Sequence, residues 1–258
     1  MTRKPDYRKI PRSRIATFDV FEAGMKRHHV AAMLEFDVTG SRRRLQEMRR
    51  GGTNVSFNGW FISTIAEVLH QHREAVAYRS GKKKLVLFED ISVSFIVEKK
   101  INNNRVPMPM VITGANKKSA EQITVEIEKA KTDGITEDNI VLNKKAVPAE
   151  QLYYLLPGFL RRGFWRFPLR HPRLAYSTMG NVAVTSLGMT GRINGWFIHR
   201  SVHPVSFGIG SVLRKPVVTG NEITIRDILN VTILIDHDVI DGAQMVRLLN
   251  DLTVKIES

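Results

Sequence analysis

The sequence predicts an α+β fold, because helix-like and strand-like segments intermix without the strict alternation of a doubly wound sheet. Three observations carry that expectation. The last third is mostly strand, with NVAVTSLGM, VSFGIGSV and NEITIRDILNVTILID in succession. The stretch 58–77 places apolar residues at 61, 62, 65, 66, 68 and 69, the period of a buried helix face. With 43% hydrophobic and 25% charged residues over 258 positions, the chain has the composition of an ordered core rather than of disorder. No repeat or low-complexity linker divides it, so a single domain, 1–258, is expected.

The elements follow in order. MLEFDV (33–38) alternates as a half-buried strand, and TGSRRRLQEMRRGG reads as a turn, a basic helix and a glycine stop. KLVLFEDISVSFIVEKK (84–100) holds two strand-like pieces around Glu89 and Asp90. VPMPMVI (106–112) is apolar but interrupted by two prolines, which suits an edge or bulged strand. KKSAEQITVEIEKAKTDG (117–134) begins with Ser119 and Gln122 at capping-box spacing and ends on glycine. A helical stretch is expected near 147–156, and the arginine-rich, aromatic, proline-bearing segment 157–173 reads as irregular. A strand and a C-terminal helix, AQMVRLLNDL, close the chain.

Composition also excludes. Without cysteine there is no disulfide, thiolate metal site or cysteine nucleophile. No run of 18 apolar residues follows the basic start, so neither a signal peptide nor a membrane span is expected, and the cytoplasm is the predicted location. The net charge of +14, concentrated in SRRRLQEMRR, GKKK and FLRRGFWRFPLRHPR, suits phosphate-bearing partners. No nucleic-acid module accompanies the charge, so nucleic acid is not the expected partner.

The chemistry concentrates in IDHDVIDG (235–242). Val231, Ile233 and Ile235 alternate with Thr232, Leu234 and Asp236, as in a strand buried on both faces that delivers His237 at its end. Asp241 and Gln244 have the spacing of a helix N-cap and its capping-box partner. On spacing alone His237 is either a reactive base held at a strand end or a polar turn residue.

DHDVIDGAQMVRLLNDL resembles the C-terminal signature of the dihydrolipoamide acyltransferase catalytic domains of 2-oxoacid dehydrogenase complexes, and of the chloramphenicol acetyltransferase family that shares their fold. RKIPRSRIA, HHVAAMLEFDV, WFISTIAEVLHQHREA, VPMPMVITGANKKSAEQI and VAVTSLGM fall in that family's order, leaving only about 135–180 unmatched. The resemblance implies a two-layer sandwich of a mixed sheet with packed helices. It implies acyl transfer between coenzyme A and a thiol or hydroxyl acceptor such as dihydrolipoamide. His237 is then the general base, and Thr185, rather than its neighbour Ser186, stabilises the oxyanion. It makes Asp241 an orienting residue paired with Arg14, with Arg12 as the alternative, and sets His29 beside the substrate channel. It also implies trimers, or multiples of trimers, with His237 and Thr185 contributed by different copies.

Departures from the family shape the expectation. Nothing here resembles a lipoyl or subunit-binding domain, so a free-standing catalytic unit without a covalent lipoyl group, and without a metal, is expected. A catalytically silent scaffold or partner subunit is the alternative. The basic aromatic segment 157–173 suits a loop packed on the assembly, a peripheral membrane contact or an anionic partner.

Overall fold

Six strands form one mixed sheet in the computed structural model, which describes residues 5–7, 10, 12–101, 104–132, 155–187 and 194–258. Helix α1 (Arg12–Gly24) leads into β1 (His29–Asp37), followed by α2 (Thr39–Arg50) and α3 (Phe57–Gln71). A small hairpin of β2 (Tyr78–Ser80) and β3 (Lys84–Val86) precedes β4 (Val93–Ile101), β5 (Asn104–Ile112) and α4 (Ala120–Thr132). Then come α5 (Gly158–Arg170), α6 (Pro172–Met179), β6 (Val182–Ser186), β7 (Val205–Thr219), β8 (Glu222–Asp236) and α7 (Gly242–Glu257). The sheet order is β1-β8-β7-β6-β4-β5, with parallel pairs on both sides of β6 and antiparallel pairs elsewhere. This is the α+β, two-layer arrangement expected from the sequence.

One face of the sheet carries the core. Phe36, Phe95, Val184, Phe207 and Ile233 are fully buried there, against Phe61, Ile65 and Leu69 of α3 and Leu248, Leu252 and Ile256 of α7. Truncating one of the buried phenylalanines to alanine costs about 3–5 kcal/mol by lost transfer energy and the cavity left behind. The other face is polar and just as buried at its centre: Ser206, Asn230, Thr232 and Asp236 are all at most 2% exposed. The segment 194–203 covers part of that face. A Cβ on Gly208 would lie 2.7 Å from His199 Nδ1 and 3.1 Å from Phe197. Glycine at 208 therefore lets this segment lie directly on the strand.

Local signals hold where they were strongest. Ser119 N donates to Gln122 Oε1 and Gln122 N to Ser119 Oγ, closing the expected box ahead of α4. β5, with Pro107 and Pro109, is an edge strand, where a missing N–H costs the ladder least. Of the helical stretch expected near 147–156, residues 147–154 lie outside the described residues.

Segment 157–173 is a correction: it is not irregular but consists of α5 and the start of α6. Pro157 stands just before the first helical residue of α5, and Pro172 opens α6, where an absent N–H is no loss. Pro168 lies within α5, near its end. Arg161 of α5 donates to Asp19 of α1 at 3.0 Å, with both side chains largely buried, so the basic helix is pinned against α1. Among the described residues no helix is long and apolar enough to cross a membrane.

Candidate active site

β8 lies between β1 and β7 with both faces covered, and its last nine residues are buried. The chain then turns sharply at 237–239 before α7. The turn's backbone is held from several sides. Asp236 N donates to Pro204 O at 2.9 Å, His237 N to His28 O at 3.0 Å and Val239 N to Asp236 O at 3.0 Å. The Asp236 carboxylate accepts from Asp238 N at 3.2 Å through Oδ1 and from Arg27 Nη1 at 2.6 Å through Oδ2. Arg27 also lies over the Tyr78 ring, 5.6 Å from its centroid, and Tyr78 Oη donates to Gly180 O at 2.6 Å. Burial raises the Tyr78 phenol far above its usual range, against the opposing charge of Arg27. Asp238 accepts from His28 and Arg79, and the His28 hydrogen bond is the chief cause holding its carboxyl below the usual range.

Out of this braced turn projects the His237 imidazole, exposed and without a hydrogen-bond partner among the described residues. Asp241 caps α7: its N–H donates to Gln244 Oε1 at 3.1 Å and its carboxylate accepts from the Gln244 N–H. The expected Asp241–Arg14 ion pair is absent among the described residues. Both side chains are exposed, Arg14 on α1, while the Asp241 carboxylate serves the cap. The side chain of Arg12 lies outside the described residues. The buried pair that braces the turn is instead Arg27–Asp236, with side chains 16% and 3% exposed. Sequence reasoning missed it because the two are neighbours only through the register that pairs His29 with Asp236.

His28 and His29 diverge, as adjacent strand residues must. His28 turns outward to Asp238, and His29 Nε2 donates to His203 O at 2.9 Å. Partial burial lowers the His29 pKa from its usual value. His203, fully enclosed, donates from Nε2 to Met179 O at 2.9 Å, and burial depresses it to about 4.

Thr185 pairs in register with Gly208, which pairs in turn with Thr232 on β8. His237 follows Thr232 by five residues. Five strand residues at ~3.3 Å and two strand spacings at ~4.8 Å put the Thr185 and His237 backbones roughly 19 Å apart in one chain. Two short side chains cannot bridge that gap around one carbonyl.

Thr185 and Ser186 project to opposite faces, as neighbours on a strand do. Ser186 opens on a groove of about 1240 Å³ that Arg42, Arg214, Lys215, Phe57 and Asn58 also line. Arg42 is paired with Asp227 and Lys215 with Glu35, while exposed Arg214 has no ion pair among the described residues. The groove's cationic wall suits an anionic molecule.

Residues 173–258 match the family model of the 2-oxoacid dehydrogenases acyltransferase catalytic domain. Over 238 residues the chain is 23% identical to the lipoamide acyltransferase component of the branched-chain alpha-keto acid dehydrogenase complex of Bacillus subtilis (strain 168). That match covers 89% of this chain and 47% of the relative, so the chain spans about half of that protein's length. In fold, it is similar to a probable dihydrolipoamide acetyltransferase from Listeria monocytogenes 4b F2365, at TM-score 0.69, 18% identity and coverage of 98% of this chain and 94% of that one. The dihydrolipoamide acetyltransferase of Azotobacter vinelandii, studied for the role of a serine, a histidine and an asparagine in its catalytic mechanism, gives TM-score 0.69 and 15% identity over 98% and 92% of the chains. A chloramphenicol acetyltransferase gives TM-score 0.51 at 13% identity, covering 96% of each chain. Its last third thus matches the acyltransferase catalytic-domain family model, and nearly its whole length shares the fold of these solved structures.

Proposed function

We propose that this relative of the 2-oxoacid dehydrogenase acyltransferases moves an acyl group between coenzyme A and a thiol or hydroxyl acceptor, dihydrolipoamide among the candidates. His237 is the general base, and Thr185 of a neighbouring copy is the oxyanion donor. One observation carries the reading. The free imidazole of His237 projects from a turn whose backbone is fully braced, 52 residues after Thr185 and 4 before Asp241. The serine, histidine and asparagine studied in the Azotobacter enzyme have the same spacing.

The chemistry follows from those groups. Neutral imidazole takes the proton of the attacking thiol, and the sulfur adds to the thioester carbonyl carbon. The carbonyl oxygen becomes an oxyanion that accepts a hydrogen bond from the Thr185 hydroxyl. When the intermediate collapses, the C–S bond to the leaving thiol breaks and the imidazolium returns its proton to that sulfur. The groove lined by Arg42, Arg214 and Lys215 suits the phosphates of coenzyme A.

Because Thr185 and His237 of one chain are roughly 19 Å apart by strand geometry, the reading requires a closed oligomer, and we assign a trimer or a multiple of trimers. We place the protein in the cytoplasm, as a chain without cysteine permits. Thiol release from acetyl-, butyryl- and octanoyl-coenzyme A with dihydrolipoamide as acceptor tests the function. His237→Ala should lower turnover by about 100- to 10,000-fold. Equal turnover by both proteins overturns the reading and leaves the scaffold alternative.

A further inference from the structure

On the polar face of the sheet, three buried polar atoms have no hydrogen-bond partner among the described residues: His199 Nδ1, Thr232 Oγ1 and Asn230 Oδ1. The first two belong to residues that meet at Gly208, on which His199 packs and with which Thr232 pairs in register. Thr185, Gly208 and Thr232 form a row across three neighbouring strands, so their side-chain positions share one face at spacings of about 4.8 Å. His199 occupies the space that a side chain at Gly208 would fill, with Nδ1 only 2.7 Å from that Cβ position. Its ring is fixed at the far nitrogen, where Nε2 lies 2.8 Å from the buried Ser206 Oγ. Burial depresses its pKa to about 4, so near neutral pH the ring carries one proton and the unengaged nitrogen is free to serve as donor or acceptor.

A hydroxyl that stabilises an oxyanion must aim its only proton at that oxygen, and a donor to its own oxygen fixes that direction. The Thr185 hydroxyl has no hydrogen-bond partner among the described residues, and the buried, unengaged nitrogen beside its row belongs to His199. An apolar residue at 199 would fill the same volume without stranding a polar atom, which costs about 1–3 kcal/mol.

Resting on the reading of Thr185 as the oxyanion donor, we propose that His199 is its positioning residue. Ser206 Oγ–H donates to Nε2, and Nδ1–H, without a partner among the described residues as the chain stands, donates to Thr185 Oγ1 when substrate is bound, leaving the threonine proton directed at the developing oxyanion. The assignment concerns proton direction alone; no covalent bond changes in it.

The test uses the two nitrogens separately. A glutamine amide reaches the place of Nε2 and an asparagine amide that of Nδ1. His199→Gln keeps the Ser206 contact and should lower kcat about tenfold, the effect of one net hydrogen bond, with KM within about twofold. His199→Asn, which keeps a donor near Thr185, should recover most of that loss. In a Thr185→Val background, His199→Gln should change kcat by less than about twofold, because its effect passes through the missing hydroxyl.

Additive losses in the double variant, or a His199→Gln that lowers the melting temperature but not kcat, overturn the proposal and leave His199 as a packing partner of Thr232. If Thr185→Val alone keeps full kcat, the oxyanion reading falls, and the His199 proposal falls with it. Full kcat in the Gln variant beside a Thr185→Val defect overturns the His199 proposal alone.

Discussion

Mixing two inactive variants tests the roughly 19 Å separation of Thr185 and His237 by strand geometry. On the proposed reading His237→Ala lacks the base and Thr185→Val lacks the oxyanion donor, so each homo-oligomer should be nearly inactive. If each site takes its base from one subunit and its hydroxyl from the next, a randomly assembled 1:1 mixture rebuilds intact sites. Each such site needs a Thr185→Val chain to supply histidine and a His237→Ala chain to supply threonine. With each choice made at even odds, roughly a quarter of the sites in a closed cyclic trimer are intact. Co-refolding the variants, followed by the acetyl-coenzyme A assay, should therefore recover about 25% of wild-type kcat with wild-type KM. Mixing without subunit exchange should recover nothing. If random co-assembly, verified by mass, also recovers nothing while both variants stay folded, the intersubunit site is wrong. Within-chain catalysis would then need a strand rearrangement that the register opposes.

Three further outcomes follow. Arg27→Ala leaves the Asp236 carboxylate buried without its cation and should cost about 3–5 kcal/mol in urea unfolding, whereas Asp241→Ala, an exposed cap, should cost only about 1 kcal/mol. Gly180→Ala adds a Cβ 2.3 Å from Ser92 O at φ 73° and ψ −168°. It should destabilise by more than about 3 kcal/mol, read as a lower urea midpoint. His199 and His203 fall from 6.5 to about 4 on folding, so between those values the unfolded chain binds protons that the native one does not. The stability they support is therefore full above pH 6.5 and lost toward pH 4. The slope is at most about 3 kcal/mol per pH unit for the pair, and His203→Gln should halve it.

The path from β8 through the turn to α7 was legible because each step has a local signature. Alternation in VTILID marks a doubly buried strand, and the Asp241–Gln244 spacing marks the cap. The edge character of β5 and the box at Ser119 were legible for the same reason. The helicity of 158–179 was not, because three prolines read as breakers when two of them occupy helix starts. The brace of the turn was hidden more deeply. Arg27 and Asp236 are 209 residues apart, and only the β1–β8 register brings them together. His199 and His203 carry no sequence signal either, since a lone histidine is informative only once the strand it covers is known.

On the proposed assignment of His237 and Thr185, the two faces of β6 give a reason for the single chain to be half an apparatus. Thr185 projects to the face that His199 covers, and Ser186 opens on the cationic groove, so the end of this short strand meets both the polar face and the groove. His237, the proposed base, stands two strands away, beyond β7 and past the end of β8, on a turn fastened by Arg27, His28 and Pro204 rather than by anything near Thr185. A rigid sheet cannot bend to close roughly 19 Å without losing its hydrogen-bond ladder. A second copy can supply the missing half at no such cost. On this reading, oligomer formation completes the site, and variants that weaken assembly should lose activity without any change at His237 or Thr185.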